Sequence, residues 1–140
     1  WYKMPPVVLE LCDDILADTS HEEKTAVFPF PLNMWVHQYT TEIDIPFAMY
    51  RSTYESDETI ISLYDAMMNK GEGPIDLDEV AMYAKTGHYN YIVLPRTGNF
   101  IGNLEENGYM ELETVGSDVQ KADSDYEREY VLYSLTEELS

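Results

Sequence analysis

Cationic side chains are scarce in this sequence: 8 Lys and Arg stand against 27 Asp and Glu, a formal net charge of −19. The shortage excludes direct binding of nucleic acid, because phosphate contacts are made by Lys and Arg. It also excludes adhesion to an anionic membrane through a polybasic patch. Cysteine is nearly absent. Cys12 stands alone, so no internal disulfide can form, which favours a reducing compartment. No apolar run reaches the roughly 18 residues of a membrane helix. The longest, 7–16, is broken by Glu10, Asp13 and Asp14. The basic start and apolar centre of a secretory leader are not seen either, and the cytoplasm is the expected compartment.

What is present points to a folded chain. Apolar residues make up 44% of the 140, an ordinary share for a globular protein. A chain of this size buries about 68–70% of its unfolded surface, enough for one core, and a single domain over 1–140 is expected. Tyrosine is abundant at 12 residues; it packs apolar area while keeping a hydroxyl for a partner.

Val7, Val8, Leu11, Cys12, Ile15 and Leu16 recur at helical spacing after Pro5 and Pro6, predicting a helix over 6–18. Residues 25–50 read as extended, with Pro29, Pro31 and Pro46 confining these strands to edges or bends. A second helix is expected after Ser56 and ends near Lys70 and Gly71. A third is expected after Asp76, whose spacing to Glu79 resembles a capping box, and ends at Gly87. Residues 89–115 read as a β-meander, with a turn at 95–99 and a hairpin turn at Glu106-Asn107-Gly108. The tail, 123–140, divides the signals. Val131, Leu135 and Leu139 fit a helix, Tyr130, Val131, Leu132 and Tyr133 are β-prone, and the spacing favours helix. The expected class is α+β: one compact unit, a mainly antiparallel sheet with helices packed on one face.

Motifs for chemistry fail on inspection. His21-Glu22-Glu23 lacks the second histidine that a zincin helix places one turn on; Thr25 stands there. His37 and His88 are distant in sequence, so no metal site is signalled. Cys12 lies on an apolar helical stripe among acids that oppose a thiolate, and reads as a small core hydrophobe. With 27 carboxylates, adjacent acid pairs occur by chance and carry no glycosidase signal. Asp118, Asp123 and Asp125 lack the glycine and terminal glutamate of a calcium loop, and Gly98 and Gly102 lack the Lys and helix of a phosphate loop. No catalytic residue and no cofactor is expected.

The acids are uneven. Residues 105–140 hold 11 acids and 2 bases, net −9, close to half the total excess. Tyrosines interleave them, a combination suited to a basic groove, with carboxylates imitating phosphates and rings supplying contact area. The expected function is a non-enzymatic inhibitor that occupies the basic nucleic-acid-binding surface of a partner protein. Small acidic viral proteins that counter host nucleases act in this way as a class, a link of analogy. The expected contact residues are Glu111, Glu113, Asp123, Asp125, Tyr126, Glu127, Glu129 and Tyr130. One alternative is an assembly subunit docking through its Tyr- and Met-rich surface. Another is a metal-assisted hydrolase, which requires His and acid clusters that the sequence does not indicate.

Overall fold

The computed structural model describes residues 4–46, 58–68, 73–115 and 129–136. Within them, Pro5 and Pro6 open helix α1 (Pro6–Ala17), where the missing proline N–H groups cost nothing. Its Val7, Val8, Leu11, Cys12 and Ile15 are buried, each large aliphatic contributing about 1.5–3 kcal/mol. The short strand β1 (Ala26–Val27) follows, then helix α2 (Asn33–Tyr39), helix α3 (Glu58–Met68) and strand β2 (Ile75–Asp76). Asp76 caps helix α4 (Leu77–Thr86), accepting from the N–H groups of Asp78 and Glu79. Strands β3 (Tyr91–Pro95), β4 (Phe100–Ile101), β5 (Tyr109–Val115) and β6 (Tyr130–Leu135) complete the described elements.

The main sheet has the order β1-β3-β6-β5. β3–β6 and β5–β6 are antiparallel and β1–β3 is parallel, so the sheet is mixed, with antiparallel pairing predominant. β2 and β4 form a separate parallel pair. The α+β class is as the sequence predicts. One core lies between α1, α2 and the face carrying Tyr91, Val93, Tyr130 and Leu132. The other joins α3 and α4 to Val27, Ile92, Leu94 and Leu135. The expected helical layer on one face is therefore matched by a second layer on the other. Alternate residues of β3 feed the two cores, and a strand covered on both faces reads as a continuous apolar run.

Several local expectations are corrected. Residues 33–39 are helical, not extended: Asn33 and Val36 are buried one turn apart, and Pro29 and Pro31 supply carbonyls that accept from Asn33 and Met34 at the helix start. Ile43 and Ile45 are buried, but the extended pairing there is a single bridge between Thr25 and Asp44. The meander does not form, because β6 and β1 occupy the two sides of β3 while β4 pairs with β2. Glu105–Asn107 is a 3-10 turn closed by Gly108 at φ +89, in place of a hairpin. Asn107 Nδ2 donates to Asp78 Oδ1 at 2.7 Å, holding that turn to α4. The described part of the tail, 129–136, contains a central strand; its β-prone side chains pack both cores, and this outweighs the helical spacing of Val131 and Leu135. Ser56, Lys70, Gly71 and Leu139 lie outside the described residues.

Among the described strands, β5 lies at an edge of the sheet. Glu111 pairs with Tyr133 and Glu113 with Leu132, so Leu112 is the extra residue of a bulge. A bulge flanked by two glutamates discourages pairing with another chain.

Candidate functional site

The site grows from the end of α1. Asp18 leaves the helix in an extended conformation, its N–H still bonded to Asp14 O at 3.0 Å. Its carboxylate becomes a hub. Tyr91 Oη donates to Asp18 Oδ2 at 2.6 Å, and the backbone N–H of Ser20 does so at 3.3 Å. Ser20 Oγ donates to the same oxygen. Lys24 turns its ammonium inward, donating to the carbonyls of Asp18 and His21 and, at 3.4 Å, to Tyr91 Oη. Burial alone would raise the Asp18 carboxyl, but the bonds from Ser20 and Tyr91 and the Lys24 charge outweigh it and hold the group below the usual carboxylate range. Burial, then the bond to Asp18, pushes the Tyr91 phenol far up, so it stays a neutral donor.

His21 and Asn90 pin the same loop to the sheet. The His21 ring meets Tyr91 edge-on at 5.4 Å. Its Nε2 lies 2.6 Å from Leu135 O, and because a carbonyl only accepts, Nε2 carries the proton. Asn90 is buried, and its Nδ2 donates to Glu23 O at 3.0 Å. The loop from Asp18 to Lys24 is thus a fixed wall, not a loose strap.

Between this wall and the edge strand lies an open groove of about 1050 Å³. Glu22 and Glu23 are exposed on one rim. Met110 and Leu112 on β5 form an apolar border, each 45% exposed. Ser134 contributes to the lining from β6, its Oγ 3.5 Å from Ser20 Oγ. His88, with φ +63, also lines the groove.

The Ser20 hydroxyl is bonded to a carboxylate whose low pKa makes it a weak base. His21 Nε2 is committed to a backbone carbonyl. His21 and His88 both line the groove, while His37 lies on α2. Among the described residues, no group of three or more His, Cys, Asp or Glu is arranged to hold a metal ion. No helix among them is long and apolar enough to cross a membrane.

The sequence-predicted contact residues do not converge. Glu111 and Glu113 are both exposed, but the bulge turns them to opposite faces. Glu111 lies with Glu105 near Tyr133, whose phenol is raised by burial first and then by those two charges. Glu113 faces Asp14 on α1. Glu129 pairs with Arg96 at 3.4 Å on the surface. Tyr130 is 3% exposed and belongs to the core. Asp123, Asp125, Tyr126 and Glu127 lie outside the described residues. The groove residues Asp18, Glu22, Glu23, Met110 and Leu112 were not indicated as a site by the sequence. A weak signal existed in the polar run after the first helix, but its proximity to β5 depends on the sheet order. The exposed apolar side chains Phe30, Tyr39, Met82 and Ile101 are spread over separate segments of the chain.

No family model matches the chain, and neither the curated proteins nor the solved structures searched give a match.

Proposed function

We propose that the chain is a non-enzymatic acidic binding protein that occupies the basic, nucleic-acid-binding surface of a partner, with the groove beside β5 as part of the contact. The observation that carries this reading is the pairing of an acidic rim, Glu22 and Glu23 on a hydrogen-bonded loop, with the exposed apolar border of Met110 and Leu112. Carboxylates steer a basic partner in, and the apolar border supplies contact area once it arrives. Fixing the loop beforehand spares the ordering cost of binding.

Charge density limits the form of the mimicry. The accessible surface is 8233 Å² for a net −19, about 430 Å² per charge, whereas duplex DNA presents on the order of 100 Å² per charge. Imitation therefore works only where acids are gathered, as Glu22 and Glu23 are on the groove rim. Lys24, Lys85 and Arg96 are the lysines and arginines among the described residues. Of these, Lys24 is turned inward and Arg96 is engaged by Glu129.

The test uses a labelled arginine-rich peptide from a nucleic-acid-binding domain, measured by stopped flow at low and moderate salt with and without excess DNA. Association is expected to be fast, salt-sensitive and competed by DNA. Glu22→Gln with Glu23→Gln is expected to slow it, and Met110→Ser with Leu112→Ser to speed dissociation. Binding that is indifferent to DNA rejects occupancy of a nucleic-acid surface. Binding that is unchanged in all four substitutions rejects the groove.

A further inference from the structure

The more buried polar residues that line the groove form its floor, and they come from three places. Asp18 follows α1, Asn90 precedes β3, and Ser134 lies in β6. Ser20 ties two of them together: its Oγ donates to Asp18 Oδ2 and stands 3.5 Å from Ser134 Oγ. The sheet brings in the third, since Tyr91 is opposite Ser134 and the N–H of Leu135 donates to Asn90 O at 2.8 Å.

These groups are only partly used within the chain. The Tyr91 phenol and the N–H and hydroxyl of Ser20 all converge on Asp18 Oδ2; among the described residues none donates to Oδ1. Asn90 is 8% exposed, and its Nδ2 is spent on Glu23 O. Its Oδ1 therefore turns away from that carbonyl, and it too takes no donor among the described residues. Neither oxygen is sealed from solvent. Ser134 is 3% exposed, and its hydroxyl has the Ser20 contact alone, longer than the roughly 2.5–3.0 Å of an ordinary O–H···O bond. Buried polar groups are costly without partners, so acceptors at the base of an open groove suit a ligand that brings donors.

Charge and shape narrow the ligand. Burial works against the Asp18 charge, but the bonds from Ser20 and Tyr91 and the Lys24 ammonium outweigh it and keep the carboxylate ionised. Lys24 itself is committed elsewhere: its three hydrogens go to the carbonyls of Asp18 and His21 and to Tyr91 Oη. A cation with several N–H groups fits what remains. An arginine fork grips a carboxylate through both oxygens, and Oδ2 already accepts from three donors. A primary ammonium points its three hydrogens apart, toward separate acceptors. Met110, opposite Ser134 on β5, and Leu112 beyond it offer apolar cover for an aliphatic stem.

We propose that the floor of the groove is a lysine site, in which Asp18 Oδ1, Asn90 Oδ1 and Ser134 Oγ accept from the ammonium of one lysine of the basic partner while its stem lies along Met110 and Leu112. The proposal rests on the reading of the groove as the contact with a basic protein, and adds which cation is held. Glu22 and Glu23 on the rim steer lysine and arginine alike; the floor retains lysine.

The test titrates the full chain, by fluorescence anisotropy at moderate salt, with two labelled peptides of equal length and charge, one carrying lysine and the other arginine at every basic position. The lysine peptide is expected to bind about tenfold tighter, the worth of one charge-assisted hydrogen bond. Ser134→Ala leaves the Asp18 bonds in place and is expected to cut that preference to about threefold or less. Asp18→Asn is expected to abolish it; should that variant not fold, Ser134→Ala decides. Equal binding of the two peptides, or tighter binding of arginine, overturns the lysine site and leaves the acidic groove standing. A preference undiminished in folded Ser134→Ala also overturns it. Failure of both peptides to bind overturns the groove as a contact with a basic protein, and the lysine site with it.

Discussion

Tyr91→Phe deletes one oxygen from the centre of the groove wall. The ring is fully buried and meets His21 edge-on, so the phenylalanine keeps the packing and loses only the hydroxyl. That hydroxyl donates to Asp18 Oδ2 at 2.6 Å and receives a weak 3.4 Å bond from Lys24. A hydrogen bond to a charged group is worth about 1.5–3 kcal/mol. Asp18 is half-buried and keeps the donors of Ser20, which places the loss at the low end, about 1.5 kcal/mol. With a urea m-value of about 2 kcal/mol/M, the midpoint falls by about 0.7 M at neutral pH while m is unchanged. The pH dependence fixes the cause. The Asp18 pKa is depressed in the folded protein, so its contribution is present above the ordinary carboxylate range and is lost as pH falls through the folded value. Tyr91→Phe removes one of the bonds that depress it, and the gap between variant and wild type closes in acid. A double-mutant cycle with Asp18→Asn isolates the pair. A gap that persists undiminished in acid, or a coupling energy near zero, refutes the assignment of Tyr91 as the anchor of the Asp18 loop.

Two further outcomes follow from charge and burial. Moderate NaCl is expected to raise the melting temperature, because the −19 net charge repels itself and ions screen it over about 8–10 Å; a melting temperature that falls with added salt contradicts this. Cys12 is fully buried, and burial followed by the Asp13 charge pushes its thiol up to about 12. The native protein is expected to resist thiol reagents, and Cys12→Ala to cost about 1–2 kcal/mol of stability through lost packing while leaving peptide binding intact. Loss of binding by the folded variant would assign Cys12 a role beyond the core.

Local signals carried α1, α3 and α4 because each announces itself within a few residues: Pro5-Pro6 before an apolar stripe, a continuous apolar face, Asp76 ahead of Glu79. The α2 segment was hidden because Trp35, Val36 and Tyr39 are β-prone and the prolines read as strand punctuation, although here they precede a short helix. The strand at 130–135 was hidden for a different reason. Its i, i+4 spacing suits a helix, and only the two cores, assembled from distant segments, decide otherwise. The groove was the least legible feature. Met110 and Leu112 alternate with Glu111 as a half-buried strand would, yet both are exposed, Leu112 at the bulge itself. The loop that faces them is set by Tyr91, more than 70 positions from Asp18, and no local pattern encodes that distance. Tyr130 reads as a contact tyrosine in sequence and is core for the same reason.

The order of the sheet has a consequence for synthesis on the ribosome. β6 is the last of its strands to be translated, yet it lies between β3 and β5 and is the neighbour they share. Until residues 130–135 emerge, β3 has, among the described strands, β1 alone beside it, and β5 has none of them to pair with. The two apolar faces of the growing chain must wait for the last-made of the described strands of this sheet, whatever helices have formed by then. Closure over such separations is slow, and a nascent chain stalled before Tyr130 exposes unpaired strand edges of the kind that chaperones bind. The net charge carried by the emerging acidic chain keeps such intermediates apart during that interval.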